Sequence, residues 1–541
     1  MKLHLIPFLL AFGLLRGFAH PPADTQYRLD EWAGNQPGGA SVAWVDQDGE
    51  AFFTTGHFNA GSTPAITPDT FFEIGSITKV FTALLLAESE HQHKVGLLDP
   101  VSRYLLPSAD PARESLQKIT LLSLATHQSG LPRLPANLTG GRASSLDPYA
   151  DYNRNDLLDA FRLHARKAEA GRSILYSNFG FAVLGEGVAS AWGVSYDAAL
   201  REQILTPLGM KQSRLGLLGA PSPEGLATGL SGGGPVPDWK FQAFAPAGAL
   251  RSSAREMALF MKAALALEPS PLHEAFEVTY ATRAPHPDTG GDIGLAWMLF
   301  KRGSDSFAWH NGATAGHRSV IVLDRTKKRG VLLLSNLSKP PESLAFPLLG
   351  TPLPAPNTRI ENAADYVGQY PLSQAFSLKI TEKDGSLLVQ GTGQGQLPLR
   401  QTAADRFAAI GVAAEIEFER DAGGGVTGLT LHQNGAQKKG PRQALPPPPK
   451  ETSLPATVLA EYPGEYPASY AYVFRITLEE GTLFIQAAGQ PKLPLTASGK
   501  DEFFSKNIDL RISFTRNEGG KVNGFVLRQG ATEVKANRTA N

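Results

Sequence analysis

The stretch FFEIGSITKVFTALLLAES, Phe71 to Ser89, opens with small and polar residues and then turns apolar at helical spacing. It predicts a buried helix over Phe71–Glu90 that carries Ser76 at its first turn and Lys79 one turn later. Gly75 lets the chain bend tightly ahead of the serine. Residues three apart share a helix face, so the Lys79 amine can lie beside the Ser76 hydroxyl. The positive end of a helix favours an incipient alkoxide and a developing oxyanion. A lysine partly desolvated there can lose its proton near neutral pH and act as base for the serine. An N-capping serine followed by a surface lysine is the plain alternative, and this stretch alone leaves both open. A second S-x-x-K, Ser115 to Lys118, lies in the polar run PARESLQK without such a helix start and reads as coincidence.

Composition narrows the function classes. A chain of 541 residues exceeds what one core supports and should split into two to four domains. Lys+Arg and Asp+Glu balance at 51 each with no block of like charge, which argues against a nucleic-acid binder. Cysteine is absent, removing disulfides, Cys-based zinc sites and a cysteine nucleophile together. The histidines show no H-E-x-x-H spacing, and His91 and His93 in SEHQHK read as a solvated helix end. The first twenty residues, MKLHLIPFLLAFGLLRGFAH, place Lys2 before an apolar run from Leu5 to Leu15 and small residues at Gly17 and Ala19. That pattern predicts a cleavable signal over residues 1–19 and a periplasmic or secreted protein. The run is too short to span a bilayer, so a membrane anchor is the weaker alternative.

Alternating apolar residues on both sides of Gln47-Asp48-Gly49, and again in SVIVLDRTKKRGVLLLSN around Arg325–Gly330, predict two hairpins. Between them lie helical patterns over Asn155–Lys167, Phe179–Trp192 and Ser253–Leu267. Strands from both ends around a helical middle predict an antiparallel sheet packed with helices, plus a helical subdomain. Proline then punctuates twice, closing the first domain in KPPESLAFPLLGTPLPAPN (Lys339 to Asn357) and forming a stiff spacer in LPPPPKETSLP (Leu445 to Pro455). An internal repeat is bracketed by these segments. YVGQY at Tyr366–Tyr370 returns as YPGEY at Tyr462–Tyr466, and GSLLVQ from Gly385 returns as GTLFIQ from Gly481, both 96 residues later. The Phe418/Phe514, Gly428/Gly524 and Gln433/Gln529 pairs keep that offset. Short alternating strands and glycine-rich turns predict two copies of one small antiparallel β-barrel or sandwich. The boundaries read as 20–350 for the first domain and 357–444 and 455–541 for the repeats.

Two further motifs carry chemistry. In GRSILYSNFGFAVLGEGV, Tyr176 and Asn178 flank a turn before an apolar helix, where a phenol could relay a proton and an amide could orient the lysine or a substrate carbonyl. In FAWHNGATAGHRSVIVLD, His310-Asn311-Gly312 precedes a strand, and Gly312 allows close backbone approach to a ligand. The Ala313 amide could then pair with that of Ser76 as an oxyanion hole. Each motif alone is weak, since a Tyr-x-Asn turn is usually a helix start and a lone histidine is usually structural.

In this order, S-x-x-K, Y-x-N and H-x-G resemble the serine β-lactamase and penicillin-binding-protein superfamily, most closely its class C-like branch of DD-carboxypeptidases, D-aminopeptidases and esterases. ITLLSLATHQSGLP (Ile119–Pro132), ILTPLGM (Ile204–Met210), PAGALRSSAREMALFM (Pro246–Met261) and IGLAWML (Ile293–Leu299) extend the resemblance over roughly residues 25 to 340. The resemblance implies a β-lactamase-like α/β (α+β) catalytic domain. It makes Ser76 the acylated nucleophile, Lys79 its base partner, Tyr176 the proton shuttle and Asn178 a positioning group. His310 takes the third-motif place, Gly312 lies beside it, and the amides of Ser76 and Ala313 form the oxyanion hole. Class C β-lactamases usually carry Lys-Thr-Gly where this chain has His-Asn-Gly, which weakens the hold on a substrate carboxylate unless Arg318 compensates. The expectation is an exported serine hydrolase of amide or ester bonds in D-amino-acid peptides, β-lactams or small esters, with no metal or cofactor. Peptidoglycan is a possible partner; nucleic acid and a stable membrane span are not expected. The alternative is a non-catalytic cell-wall-binding relative. A conventional Ser-His-Asp esterase would want a nucleophile elbow, and the G-x-S-x-G match in the chain, GLSGG from Gly229, lies in a glycine run followed by proline rather than ahead of an apolar helix.

Overall fold

The computed structural model describes residues 20–541 except 35, 60–63, 140–146, 172, 232–233, 287–288, 353–358, 374–375, 384, 393–395, 411–413, 434–435, 446–449, 470–471, 480, 488–491, 506–509, 530–531 and 540–541. The expected signal segment, residues 1–19, and residues 446–449 of the second spacer lie outside the described residues.

Eight strands form the main sheet: β1 Gly39–Asp46, β2 Gly49–Gly56, β3 Ala284–His286, β4 Gly291–Ile293, β5 Met298–Arg302, β6 Asp305–Ala313, β7 Arg318–Asp324 and β8 Arg329–Ser335. Their order is β2-β1-β8-β7-β6-β5-β4-β3, antiparallel throughout. The two expected hairpins close at Asp46↔Gly49 and Asp324↔Arg329 and join through Ala40↔Ser335. Chain segments almost 300 residues apart thus make one ladder. Every residue of β1 is buried, because both faces of the sheet are covered. Ala43 and Val45 enter one core with Ile321, Leu323, Leu332 and Leu334. Val42 and Trp44 point the other way, into a second core with Val320, Val322, Val331 and Leu333. The period-two alternation of a strand divides its side chains between two layers of helices.

Helix α1, Thr78–His91, lies in the first core with Thr78 to Ser89 all buried. The expected helix start at Phe71 is corrected. Phe71–Glu73 is a strand paired with Leu250–Ser253, and Gly75–Ile77 is a single 3₁₀ turn leading into α1. Helix α2, Asn178–Trp192, packs near α1 in the same core. Within the proline-rich close of the first domain, Glu342–Leu348 forms helix α3, and its Leu344, Phe346 and Leu348 cap the second core. Pro341 precedes the helix, where a missing N–H costs nothing, and apolar burial outweighs the internal Pro347.

Two eight-stranded antiparallel barrels follow, spanning Gly368–Pro441 and Gly464–Asn537. Backbone bonds between Gln369 and Gln443 draw the first barrel's ends together, and Thr539 N–H donating to Glu465 does so in the second. The repeat recurs contact for contact. Tyr366 donates to Asp405 at 2.8 Å and Tyr462 to Asp501 at 2.9 Å. Tyr370 donates to the Tyr366 carbonyl and Tyr466 to that of Tyr462. Arg420 and Arg516 reach the same two aspartates at 2.8 and 3.0 Å.

A buried ion cluster fixes the approach to the S-x-x-K turn. Arg251, 1% exposed, donates to Glu73 at 3.3 Å, Asp238 at 2.7 Å and the Trp239 carbonyl at 2.8 Å. Burial raises the Glu73 pKa against the pull of Arg251. Breaking such a pair strands a charge, at a cost of about 3–5 kcal/mol. We therefore expect Arg251→Met to lower stability by about that amount in urea unfolding, with Glu73→Gln on the same chain restoring part of it. All six tryptophans precede residue 310, so tryptophan fluorescence reads this domain alone. A loss below about 1 kcal/mol would contradict the cluster's structural role.

Candidate active site

The turn that carries Ser76 is pressed against the end of β6. Gly75 has φ +51°, and a Cβ there would come within 2.7 Å of the Ala313 nitrogen. A Cβ on Gly312 would come within 2.0 Å of the Ile74 carbonyl oxygen. The Ser319 hydroxyl donates to that same carbonyl at 2.8 Å, and Thr78 donates to the Gly75 carbonyl at 2.7 Å. Glycine is needed at both positions for the two backbones to touch. Ser76 and Ala313 consequently share one cleft wall, where their amides are candidates for binding an oxyanion.

Lys79 is fully buried, its Nζ 2.9 Å from Ser76 Oγ and donating to the Ala247 carbonyl at 2.6 Å. Burial, and then the Arg133 charge, hold its pKa well below 10.5. The neutral amine is thereby favoured, and its lone pair can accept the Ser76 proton. Tyr176 lies beside the pair: its ring centroid is 4.9 Å from Lys79 Nζ, and its hydroxyl is hydrogen-bonded to Ser76. Burial pushes the phenol up to about 12, so it stays protonated.

A loop from the quoted stretch THQSGLP clamps Tyr176. Ser177 N–H donates to His127 Nδ1 at 3.1 Å, Leu175 N–H to the His127 carbonyl, and the Ser177 hydroxyl to the Pro132 carbonyl. The His127 ring lies 4.5 Å from that of Tyr176. Burial and the nearby Lys79 hold His127 well below its ordinary pKa, which keeps Nδ1 an acceptor. Ser177 also caps α2, accepting from Gly180 N–H at 2.8 Å.

The other expected residues divide. Asn178 lines the cleft, but its amide donates to Tyr149 Oη at 3.1 Å, and Lys79 takes Ala247 as its second partner instead. His310 is 1% exposed and sits behind the wall, donating Nδ1–H to the Asn311 carbonyl at 2.6 Å. Burial, then Lys79, push it down to about 3, so it carries no charge. Arg318 is corrected. Its guanidinium is held by the Thr314 and His317 carbonyls at 2.7 and 2.8 Å, and it is not among the residues lining the cleft. Arg133 is the cation lining the cleft beside Tyr176, 5.0 Å over its ring. Sequence reading missed Arg133, His127 and Tyr149. His127 lies within, and Arg133 directly after, the stretch ITLLSLATHQSGLP, but nothing local says which side chains enter a site. The second S-x-x-K does not assemble, since Ser115 donates to the Ala112 carbonyl and Lys118 to that of Arg166.

The cleft, of about 1030 Å³, has an aromatic wall of Tyr149, Trp239, Phe241 and Trp309. The first barrel supplies its far side through Arg400, Glu415 and Gln433. Among the described residues, the metal-ligand cluster found is His20, Asp46 and Asp48 at the first hairpin, none of them lining the cleft.

Comparisons with known proteins bear on the family and the fold. The D-alanyl-D-alanine-carboxypeptidase/endopeptidase AmpH of Escherichia coli (strain K12) is 32% identical over 186 residues, 34% of this chain and 46% of that protein. The unguisins hydrolase ungD' of Aspergillus campestris is 30% identical over 317 residues, 54% of this chain and 57% of that protein. The chain thus spans about half the length of these curated relatives. Among solved structures, a class C β-lactamase from Rhodobacter sphaeroides superposes with a TM-score of 0.52 at 21% identity, over 61% of this chain and 99% of the other. SurE with D-Leu gives 0.53 at 21%, over 77% and 98%, and these two likenesses speak to the fold. A domain of unknown function (DUF3471) matches residues 354–441, the first repeat. The Beta-lactamase family profile matches residues 29–347, more than half of the chain, and the protein belongs to that family.

Proposed function

We propose that the protein is an exported serine hydrolase that cleaves amide or ester bonds through an acyl-enzyme. The observation that carries this reading is the Lys79 amine, fully buried 2.9 Å from Ser76 Oγ, where burial holds its pKa well below the ordinary value. Ser76 Oγ attacks the substrate carbonyl while its proton passes to Lys79. The oxyanion is held by the Ser76 and Ala313 amides, and collapse breaks the bond to the leaving group. Tyr176 donates the leaving group its proton and is reprotonated from Lys79. Water then releases the acid and restores the Ser76 hydroxyl.

D-amino-acid peptides, including peptidoglycan-like amides, and small esters are the favoured substrates, with β-lactams behind them. The name of AmpH supports the peptides. A neutral His310 in place of a lysine supports the ranking, because it offers a substrate carboxylate no charge. The test is turnover of p-nitrophenyl acetate, D-Ala-p-nitroanilide and nitrocefin, with Ser76→Ala abolishing each. We expect the ester or the D-amino amide to outpace nitrocefin; the reverse order would count against the weight placed on His310. A fluorophosphonate probe that leaves Ser76 unlabelled while the protein still binds cell wall would favour the non-catalytic reading. Lys79→Ala should cost about 10²–10⁴-fold in kcat/KM.

The sign of the pH dependence follows from the neutral base. Activity should fall as pH drops through the lowered pKa of Lys79, while Tyr176 stays protonated up to about 12. Arg133→Gln removes a cation that helps deprotonate Lys79, so the acid limb of kcat/KM should move to higher pH. An unmoved limb would assign it to another group.

A further inference from the structure

The two barrels are copies, yet among the described residues it is the first that lines the cleft. The first repeat contributes Arg400, Ala408, Ala414, Glu415, Gln433 and Gln437 to the cleft lining, and among the described residues none of the second repeat lines it. The 96-residue offset makes the second copy an internal control. Framework contacts recur: the tyrosine–aspartate–arginine set, and the edge-on rings Tyr366–Phe407 and Tyr462–Phe503, both at 5.0 Å. Most positions that face the cleft do not recur. Where the first repeat has Arg400, Ala408, Ala414, Glu415 and Gln437, the second has Thr496, Phe504, Leu510, Arg511 and Glu533. A barrel of this frame therefore accepts bulky and basic residues there, and the copy over Ser76 carries three alanines, Ala408, Ala409 and Ala414, beside a wall of mixed charge and amide groups. The small side chains leave space, and the amides and opposite charges suit hydrogen-bonding groups rather than a hydrocarbon.

We infer that this face of the first repeat is a substrate-binding wall for the extended part of a peptide. Its Glu415, Gln433 and Gln437 bind successive backbone amides and its Arg400 a carboxylate or carbonyl, while the aromatic wall opposite holds apolar side chains. A cleft of about 1030 Å³ exceeds what a single residue or a small ester fills, so the class of substrate is a peptide of several residues. This rests on the reading of Ser76 as nucleophile, and it deepens that reading by naming what the far wall is for.

The test uses the full chain and N-acetyl alanine peptides of two to five residues ending in D-Ala. Each serves as a competitor of p-nitrophenyl acetate turnover, and its binding is also measured by calorimetry on Ser76→Ala protein. The readout is the ratio of constants for the longest and shortest peptides within each variant, so altered ester turnover cancels. In the natural protein the five-residue peptide should bind about tenfold or more tightly than the two-residue one, the worth of one or two hydrogen bonds to charged or amide groups. Ala408→Phe, Glu415→Arg and Arg400→Thr each install the residue that the second repeat carries at the matching position of the same frame. Ala408→Phe should collapse the ratio towards one, and the two charge variants should reduce it severalfold. Glu533→Gln, at the matching place in the second repeat, should leave it unchanged. A ratio near one in the natural protein, or a ratio that survives Ala408→Phe, overturns the inference. Loss of p-nitrophenyl acetate turnover with a calorimetric ratio intact would instead count against the acyl-enzyme reading and leave the peptide wall standing.

Discussion

The site depends on an ammonium group that the fold refuses to solvate. Lys79 is shut into the core beneath Ser76, with the Ala247 carbonyl as its other polar contact. A buried amine without a paired carboxylate is far cheaper neutral than charged, so burial itself prepares a base. Among the described residues no carboxylate lies among the causes of its shift, and Arg133 pushes in the same direction. The surroundings follow this rule. His127 and His310 are held neutral by burial and by the lysine, and Tyr176 is held protonated. The cluster thus contains proton carriers with little net charge, which suits transfer of a proton at low electrostatic cost.

Precision comes from contacts outside that cluster. The Ser76 turn lies against β6 because Gly75 and Gly312 remove two side chains at the point of contact. The Arg251–Glu73–Asp238 cluster anchors the strand before the turn, and the His127 loop anchors the backbone around Tyr176. The buried charge of the Arg251 cluster and the close backbone approach at Gly75 and Gly312 are structurally costly features, and both bear on the segment that leads into the candidate nucleophile. A strand, a turn, a loop and a helix start are each locked by a different kind of interaction, which is how groups 100 residues apart in the chain are held within hydrogen-bond reach.

The accessory repeats show how one frame serves two surfaces. Their tyrosine, aspartate, arginine and phenylalanine sets hold each barrel in the same way, leaving other positions free to diverge. The copy with small and amide-bearing residues is the one that faces Ser76.

Much of this was legible in linear form, for physical reasons. Hairpins at Asp48-Gly49 and Arg325–Gly330 announce themselves through alternation, the 96-residue repeat through identity at fixed spacing, and the S-x-x-K pair through the helical period that puts Ser76 and Lys79 on one face. The helix start at Phe71 was misread because three apolar and acidic residues fit a helix as well as a strand, and only pairing with Leu250–Ser253 decides. Arg318 looked like a free cation beside the third motif, yet two backbone carbonyls hold it, while Arg133, distant in sequence, reaches the cleft. The sequence by itself determined the periodicities, the repeat and the inventory of reactive groups, since these depend on neighbours along the chain. Burial of Lys79, the neutral state of His310 and the barrel's place over the cleft were decided by tertiary structure alone, because solvation and long-range contact belong to no single segment.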